Sequence, residues 1–279
     1  MTSVHHSFHR PISMFVLASA ALACARSREV IPAEPPVQYT QSDTASLFAP
    51  GVISTGDVFS SSFMPDGRTV YFTKALRDGS SMQIMMSGWT SGSWSAPRRA
   101  PFSTGEWQKD AHVAPNGRLV YFSAPRRRAS GVSDPDGDWD IWTASLEKGD
   151  PSEAIRLSTL ANSPEHETSP SVTVDVTVFF SVTARVGGAM AQREVAYMSR
   201  KLRTTPVRIS LAGLTNPGDP YVNPFGRVLI VSATGKDEHT RADLYVVTRG
   251  GDGRWGAPRN LGRAVNTDAM EFSPSLSPD

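Results

Sequence analysis

Hydrophobic and polar positions alternate in short runs along this chain, and the runs come back. Residues 63–72 read FMPDGRTVYF, residues 113–122 read VAPNGRLVYF and residues 222–231 read VNPFGRVLIV. A degenerate copy, SPSVTVDVTVFFSV, begins at Ser169, and the sequence closes on PSLSPD, the opening of a further copy. With Pro65, Pro115, Val174, Pro224 and Pro278 as anchors, the steps are 50, 59, 50 and 54 residues. The longest step holds an insertion, APRRRASGVSDPDGDWD. A fixed period of this length marks a repeat architecture.

Each period has four parts. A short segment precedes the anchor, such as SSSFM or AHVA. After the turn comes a run in which Val70 and Phe72, Val120 and Phe122, Val178 and Phe180, and Leu229 and Val231 stand at equal positions. The residues between them, Tyr71, Tyr121, Phe179 and Ile230, are also large and apolar. Both faces of this strand therefore need cover. A third run follows (MQIMM, WDIWTASL, EVAYMS, DLYVVT), then a short extended piece (SAPRRA, AIRLS, PVRIS, GAPRNLG). Turn clusters such as RDGS, TSGSW and GGDGRW separate them. Four short antiparallel strands per period, buried on both faces, predict an all-β fold, a β-propeller of four-stranded blades. A parallel α/β fold would need a helix in each period. A β-sandwich leaves the period unexplained.

The pattern predicts about four full blades plus a partial closing blade, as in a truncated five- or six-bladed ring. The partial blade would pair LFAPGVIST, from Leu47, with the region EFSPSLS, from Glu271, and would leave an exposed edge. At the first hairpin turn, Asp66-Gly67 and Asn116-Gly117 predict two-residue turns with positive φ at both positions, the proline before them ending the strand. Val176 stands where other copies have glycine. Positive φ is costly for a β-branched residue, so an abnormal turn or a bulge is expected near Asp175.

Composition adds little to the fold. The 22 glycines and 21 prolines suit many strands and turns, and a net charge of +1 gives no general attraction to nucleic acid. The single cysteine, Cys24, excludes an intrachain disulfide. Its setting is more informative. Residues 12–23 are apolar, too short to span a bilayer and suited to a signal-peptide core. ALAC resembles a bacterial lipobox, with Ala21 where leucine is usual, which would make Cys24 a lipidation site. Residues 1–24 thus read as a signal peptide, 25–45 as a polar linker and 46–279 as the propeller.

FMPDGRTVYFT, DWDIW, ADLYVV and GRWGAPRNLGRAVNTDAMEFSPSLSPD resemble the Pro-Asp-Gly propeller repeats of TolB-like and WD-repeat-like bacterial envelope proteins, over roughly residues 48–279. The third and fourth copies depart from the motif at Val174-Asp175-Val176 and Pro224-Phe225-Gly226. The resemblance implies a binding platform, a partner of peptidoglycan-binding domains or a gating domain of a peptidase. It does not choose among them.

The sequence carries no nucleophile elbow, no P-loop and no paired cysteines or zincin histidines. Asp134, Asp136 and Asp138 alternate in SDPDGDWD as candidate ligands of a hard cation such as Ca²⁺, but the glycine comes too early for an EF-hand. No other cofactor is implied. The acids before each first strand form two columns. Asp110 and Asp219 lie five residues before their anchors, with His112 and Tyr221 following at matching positions. Glu167 and Glu271 lie seven before theirs. If these six residues surround one end of the channel they form a candidate ligand-binding mouth; otherwise they cap turns or join blades. Trp94 and Trp255, in the repeated Trp-x-Ala-Pro-Arg, read as packing residues. The expected protein is an exported, non-catalytic binding platform, periplasmic or lipid-anchored to the outer membrane. Its partner would be an envelope protein or glycan, and no nucleic acid. The alternative is the propeller part of a hydrolase.

Overall fold

The computed structural model describes residues 45–278 apart from 77, 104–106, 127–136, 148–153, 159, 187–188, 200–203 and 236–240. Cys24, the apolar run before it, the linker to residue 44, Asp134 and Asp136 lie outside the described residues.

Among the described residues the chain forms four antiparallel sheets in sequence order, the blades of a β-propeller, and no helix. The first blade holds β1 (Val58–Phe63), β2 (Thr69–Ala75) and β3 (Met82–Thr90), with β4 (Ser93–Trp94) and β5 (Arg98–Arg99) both pairing with β3. The second holds β6 (Lys109–Val113), β7 (Leu119–Pro125), β8 (Trp139–Ser145) and β9 (Ile155–Arg156). The third holds β10 (His166–Val172), β11 (Thr177–Val186), β12 (Ala189–Ser199) and β13 (Val207–Arg208). The fourth holds β14 (Leu214–Val222), β15 (Val228–Gly235), β16 (Asp243–Thr248) and β17 (Arg259–Asn260).

The doubly apolar second strand explains why the blades stack. Side chains alternate between the faces of a strand. In β7, Val120 and Phe122 pack with Tyr71, Ile84 and Phe102 of the first blade. Tyr121, between them, joins Val178, Phe180 and Met198 of the third. In β11, Phe179 turns the other way, to Leu229, Val231 and Tyr245 of the fourth blade. One strand thus feeds two interfaces, and Val120, Tyr121 and Phe122 are all fully buried. Burying a side chain of this kind contributes about 1.5–3 kcal/mol.

The turns correct two expectations. In the first, second and fourth hairpins only the glycine has positive φ: Gly67 65°, Gly117 69° and Gly226 68°. Each glycine amide bonds the carbonyl three residues back, on Met64, Ala114 and Asn223. These are turns of the common kind with proline at the second position, followed by a left-handed glycine, and not the two-residue type expected. Asp66 and Asn116 serve by accepting the amides of Arg68 and Arg118 at 2.9 and 3.0 Å. The third hairpin does differ, but otherwise than expected. Val172 pairs with Val178 where Phe63 pairs with Val70, so its loop is one residue shorter. Val176 nonetheless takes φ 64° and bonds Thr173 O in the same manner. The left-handed region costs an L-residue roughly 1–2 kcal/mol. Here the Thr173 hydroxyl accepts the Thr177 amide at 3.1 Å and also donates to Asp175, while the Val176 side chain packs on the second and third blades' core.

A second irregularity recurs in every blade. The register of each first strand against its partner slips near its middle, and the residue at the slip has positive φ. These residues are Ser60 at 53°, Asp110 at 58°, Ser169 at 53° and Asp219 at 47°. A bulge of this kind re-aims side chains and frees an amide from the ladder. The freed amide bonds the second strand of the preceding blade: Asp110 to the Thr73 hydroxyl at 3.0 Å, Ser169 to Ser123 at 2.9 Å and Asp219 to Ser181 at 2.8 Å.

In the terminal copy of the motif Ser273 likewise has a positive φ, 50°. The Ser275 hydroxyl of that copy lies 2.9 Å from that of Ser61 in β1, and Phe272 meets Phe59 at 5.9 Å between ring centroids. Residues 48–54 do not form the expected strand beside it. Left-handed Ala49 and Gly51 fold the segment on itself, and its apolar side chains cover Val70, Phe72 and Trp94 of the first blade.

Candidate functional site

The bulges build the candidate site. Their side chains, together with the residues just after them, line one cavity of about 30 Å³ where the blades meet. Ser60, Asp110, Ser169, Asp219 and Ser273 all contribute. So do His112 and Tyr221, whose rings lie 6.1 Å apart although they belong to the second and fourth blades. Sequence reasoning found the two aspartates in this column. It passed over the three serines at the same offset, because it looked for acids instead of for the column.

The polar groups bond one another across the blades. Asp110, buried, accepts the hydroxyls of Ser60 at 2.7 Å, Ser123 at 3.3 Å and Ser169 at 3.2 Å. The Ser169 oxygen also lies 2.8 Å from Asp219 and bridges the two acids. Each carboxylate has its own cation. Lys109 lies 3.2 Å from Asp110 and Arg193 lies 3.1 Å from Asp219. The acids are therefore compensated from within the protein. Burial pushes the His112 imidazole down to about 4, although a bond with the Val172 backbone acts the other way. At neutral pH it is an uncharged ring. Burial also raises the Tyr221 phenol.

The other two candidate acids are not among the cavity's lining residues. Glu167, the second residue of β10, bonds the connector between the second and third blades. It accepts the Ser163 amide at 3.1 Å and the Ser163 hydroxyl. Glu271 holds the equivalent place after the fourth blade, where one carboxylate oxygen accepts the Thr267 amide at 3.1 Å and its hydroxyl at 2.6 Å. The residue before each hydroxyl, Asn162 or Asn266, bonds both the amide and the carbonyl of a third-strand residue, Ile141 or Leu244. The pattern Asn-Ser/Thr-x-x-x-Glu was legible in the sequence as a repeated connector. Burial raises the Glu167 carboxyl to about 7, against the two bonds from Ser163 that favour its charge.

Of the acidic insertion, Asp138 is described, and its carboxylate lies 3.6 Å from Arg126. Asp140, at the start of β8, is fully buried and held by Arg126 at 2.9 Å and by Arg156 of β9. Among the described residues no group of three or more metal-binding side chains occurs. Trp94 packs with Phe48, Phe63 and Trp89, and Trp255 with Phe179.

No protein-family model and no curated protein matches this sequence. Solved structures similar to it include TolB from Acinetobacter baumannii, at 12% identity over 77% of this chain and 45% of that one, with a TM-score of 0.47. Another is a puromycin-hydrolyzing peptidase from Mycobacterium tuberculosis, at 13% identity over 74% and 30%, with a TM-score of 0.47. A third is an alpha-L-arabinofuranosidase from Podospora anserina, at 13% identity over 84% and 78%, with a TM-score of 0.48. The chain spans less than half the length of the first two. These neighbours include TolB and hydrolases alike. The β-propeller architecture is shown by this chain's own four sheets among the described residues.

Proposed function

We propose that this chain is a non-catalytic binding module of the bacterial cell envelope, and that it meets its partner at the bulge-lined mouth. The size and saturation of that mouth carry the reading. Ligand pockets usually enclose about 300–1,000 Å³, whereas a single water needs only about 10–15 Å³. A cavity of about 30 Å³ encloses a water or two, so a partner is met across its open rim. The two aspartates are engaged by serines and cations, and His112 is neutral, so neither a free base nor a paired acid faces the opening. The hydroxyls, His112 and Tyr221 instead offer a contact surface suited to an envelope protein or a glycan. The resemblance of the turns to TolB-like and WD-repeat-like repeats supports the same reading. So does the N-terminal run ending in ALAC, which supports export with Cys24 as a lipid attachment point.

The test is a His112→Ala, Tyr221→Ala double variant, assayed with the wild type for binding to arrayed envelope glycans and to purified envelope proteins. Binding that is lost at unchanged thermal stability supports the mouth. Binding that survives, or that neither protein shows, overturns it. Export is read separately: Cys24→Ala is expected to move the protein from the membrane to the soluble periplasmic fraction, and identical fractionation removes the anchor.

The propeller part of a hydrolase is the second reading. It draws on Glu167, whose carboxyl burial raises to about 7, and it requires the Ser163 connector to move aside, because the residue is 1% exposed. It predicts turnover of glycoside or aminoacyl substrates that Glu167→Gln abolishes.

A further inference from the structure

The seams between neighbouring blades close differently at the end that carries the first hairpin turns. At the first seam, the turn of the first blade rests on the glycine of the second. A side-chain carbon added at Gly117 would stand 3.2 Å from Pro65 Cδ and 3.4 Å from Met64 Cε. At the third seam, the Val174 amide bonds the Pro224 carbonyl at 2.9 Å, and a carbon added at Gly226 would stand 3.5 Å from Thr173 Cγ2. The second seam instead holds a cavity of about 140 Å³, which shares no lining residue with the mouth.

Two residues make the difference. Ala114 stands one before its anchor, where Met64 stands in the first blade, and it lacks the thioether arm that reaches across that seam. Val176 stands where Gly117 and Gly226 stand, and it lines the cavity. It does so at φ 64°, in a backbone region that disfavours a β-branched residue. Strain of this kind clusters at ligand sites, so the outlier directs attention to the cavity beside it.

The lining sets the ligand. Leu119, Val172, Val174 and Val176 are aliphatic, and Tyr121 and Pro115 add two rings that a flat partner can meet. The Thr173 hydroxyl is engaged by Asp175 and the Thr177 amide, and the Asn116 side-chain oxygen by the Arg118 amide at 3.0 Å. The Asn116 NH₂ is the donor that remains for a ligand oxygen at the rim, where Val174 is 57% exposed. An apolar cavity of about 150 Å³ stays dry and takes up benzene, whereas a drug-sized ligand needs about 300 Å³ or more. We propose that this seam binds a free, single-ring aromatic molecule with one oxygen substituent, the ring against Tyr121 and Pro115 and the oxygen at Asn116. The site is separate from the proposed mouth, and neither depends on the other.

The test is titration of the intact protein with benzyl alcohol, followed through the methyl NMR signals of alanine, leucine and valine. Saturable shifts confined to Ala114, Leu119, Val172, Val174 and Val176 are expected. Ala114→Met gives the second seam the filler of the first, and should weaken binding about tenfold or more at an unchanged or higher melting temperature. Val174→Asp, at an exposed position, should weaken it about threefold or more, and keeps the test decisive if the methionine variant fails to fold. Shifts that do not saturate, or that spread across the blades, overturn the proposal. So does normal binding by either variant in its folded form. Cyclohexylmethanol bound as tightly overturns it too, because the site then selects by size alone. N-acetyl-phenylalanine amide bound more tightly than benzyl alcohol overturns it as well, because a polypeptide side chain is then the occupant. The His112→Ala, Tyr221→Ala variant should bind benzyl alcohol as the wild type does, so that failure of the mouth and failure of this seam are read separately.

Discussion

Asp110 and Glu167 lie in adjacent first strands, at offsets of five and seven from their anchors, and they end in different worlds. Asp110 stands on the bulge, among hydroxyls from other strands and beside a lysine. Glu167 stands before the bulge and bonds the connector four residues upstream of itself. A strand alternates its side chains with a period of two, so in a regular strand these offsets would share a face. The inserted residue breaks that parity and divides the columns between the inter-blade cavity and the joint between blades. Position relative to the bulge decides the role of an acid here. The chemical type of the residue decides much less.

The sharpest way to break this comparison is to remove each acid. Asp110→Ala leaves the Ser60 and Ser123 hydroxyls without this acceptor, the Ser169 hydroxyl with Asp219 alone and Lys109 without its counter-charge, and should cost about 3 kcal/mol. Glu167→Ala, which leaves mainly Ser163 unsatisfied, should cost about 1–2 kcal/mol. Urea denaturation of both variants checks the order, and equal losses would dissolve the distinction.

Acidity separates the columns further. Folding raises Glu167 from 4.5 to about 7. Its contribution is therefore present in full below about pH 4.5 and is lost as pH rises through about 7, a change of up to about 3 kcal/mol. Glu167→Gln should flatten this slope and match or exceed the wild type at pH 8.5, whereas Asp110→Asn should remain destabilised throughout. Stability measured against pH by denaturant titration decides it.

His112 has the opposite sign. Its folded value of about 4 lies below the ordinary 6.5, so its contribution is present above pH 6.5 and is lost as pH falls through about 4. The half-buried ring should account for about 1–2 kcal/mol. His112→Asn should remove that loss and steepen the gain on acidification that Glu167 supplies. A parallel curve for the variant would show that the ring does not titrate as its surroundings require.

The smallest expected effect tests whether the place in the repeat sets the backbone. Gly67→Val should cost about 1–2 kcal/mol at the first turn. Val176→Gly should be within about 1 kcal/mol of the wild type, on the stabilising side, because relief at φ 64° is offset by the lost contact of a half-buried side chain. Melting temperatures that move in the same direction would mean that the two turns are not equivalent.

The fold was legible because its signal is redundant. Val70 and Phe72 with Tyr71 between them, repeated in the later blades, demand cover on both faces, and stacked blades meet that demand. The site was half legible. Spacing placed Asp110 and Asp219 together, and with them His112 and Tyr221. It could not separate them from Glu167, because the bulge that does so has no residue signature: serine and aspartate both occupy it. The third turn misled for the same reason. Val176 argued against a left-handed backbone, yet the Thr173 hydroxyl and the packed core hold it there. Lys109 and Arg193, which neutralise the mouth, come from strand positions that carry no common residue in the other copies.

The amides at the bulges have one more consequence. Those of Asp110, Ser169 and Asp219 are each sewn to a hydroxyl of the blade before, not to a strand of their own sheet. Such a hydrogen meets solvent only when two neighbouring blades part, whatever happens inside either one. These three positions are thus built-in gauges of separation at three successive seams. Their deuterium uptake, followed one by one, would reveal whether the molecule comes apart seam by seam from one side or gives way everywhere at once.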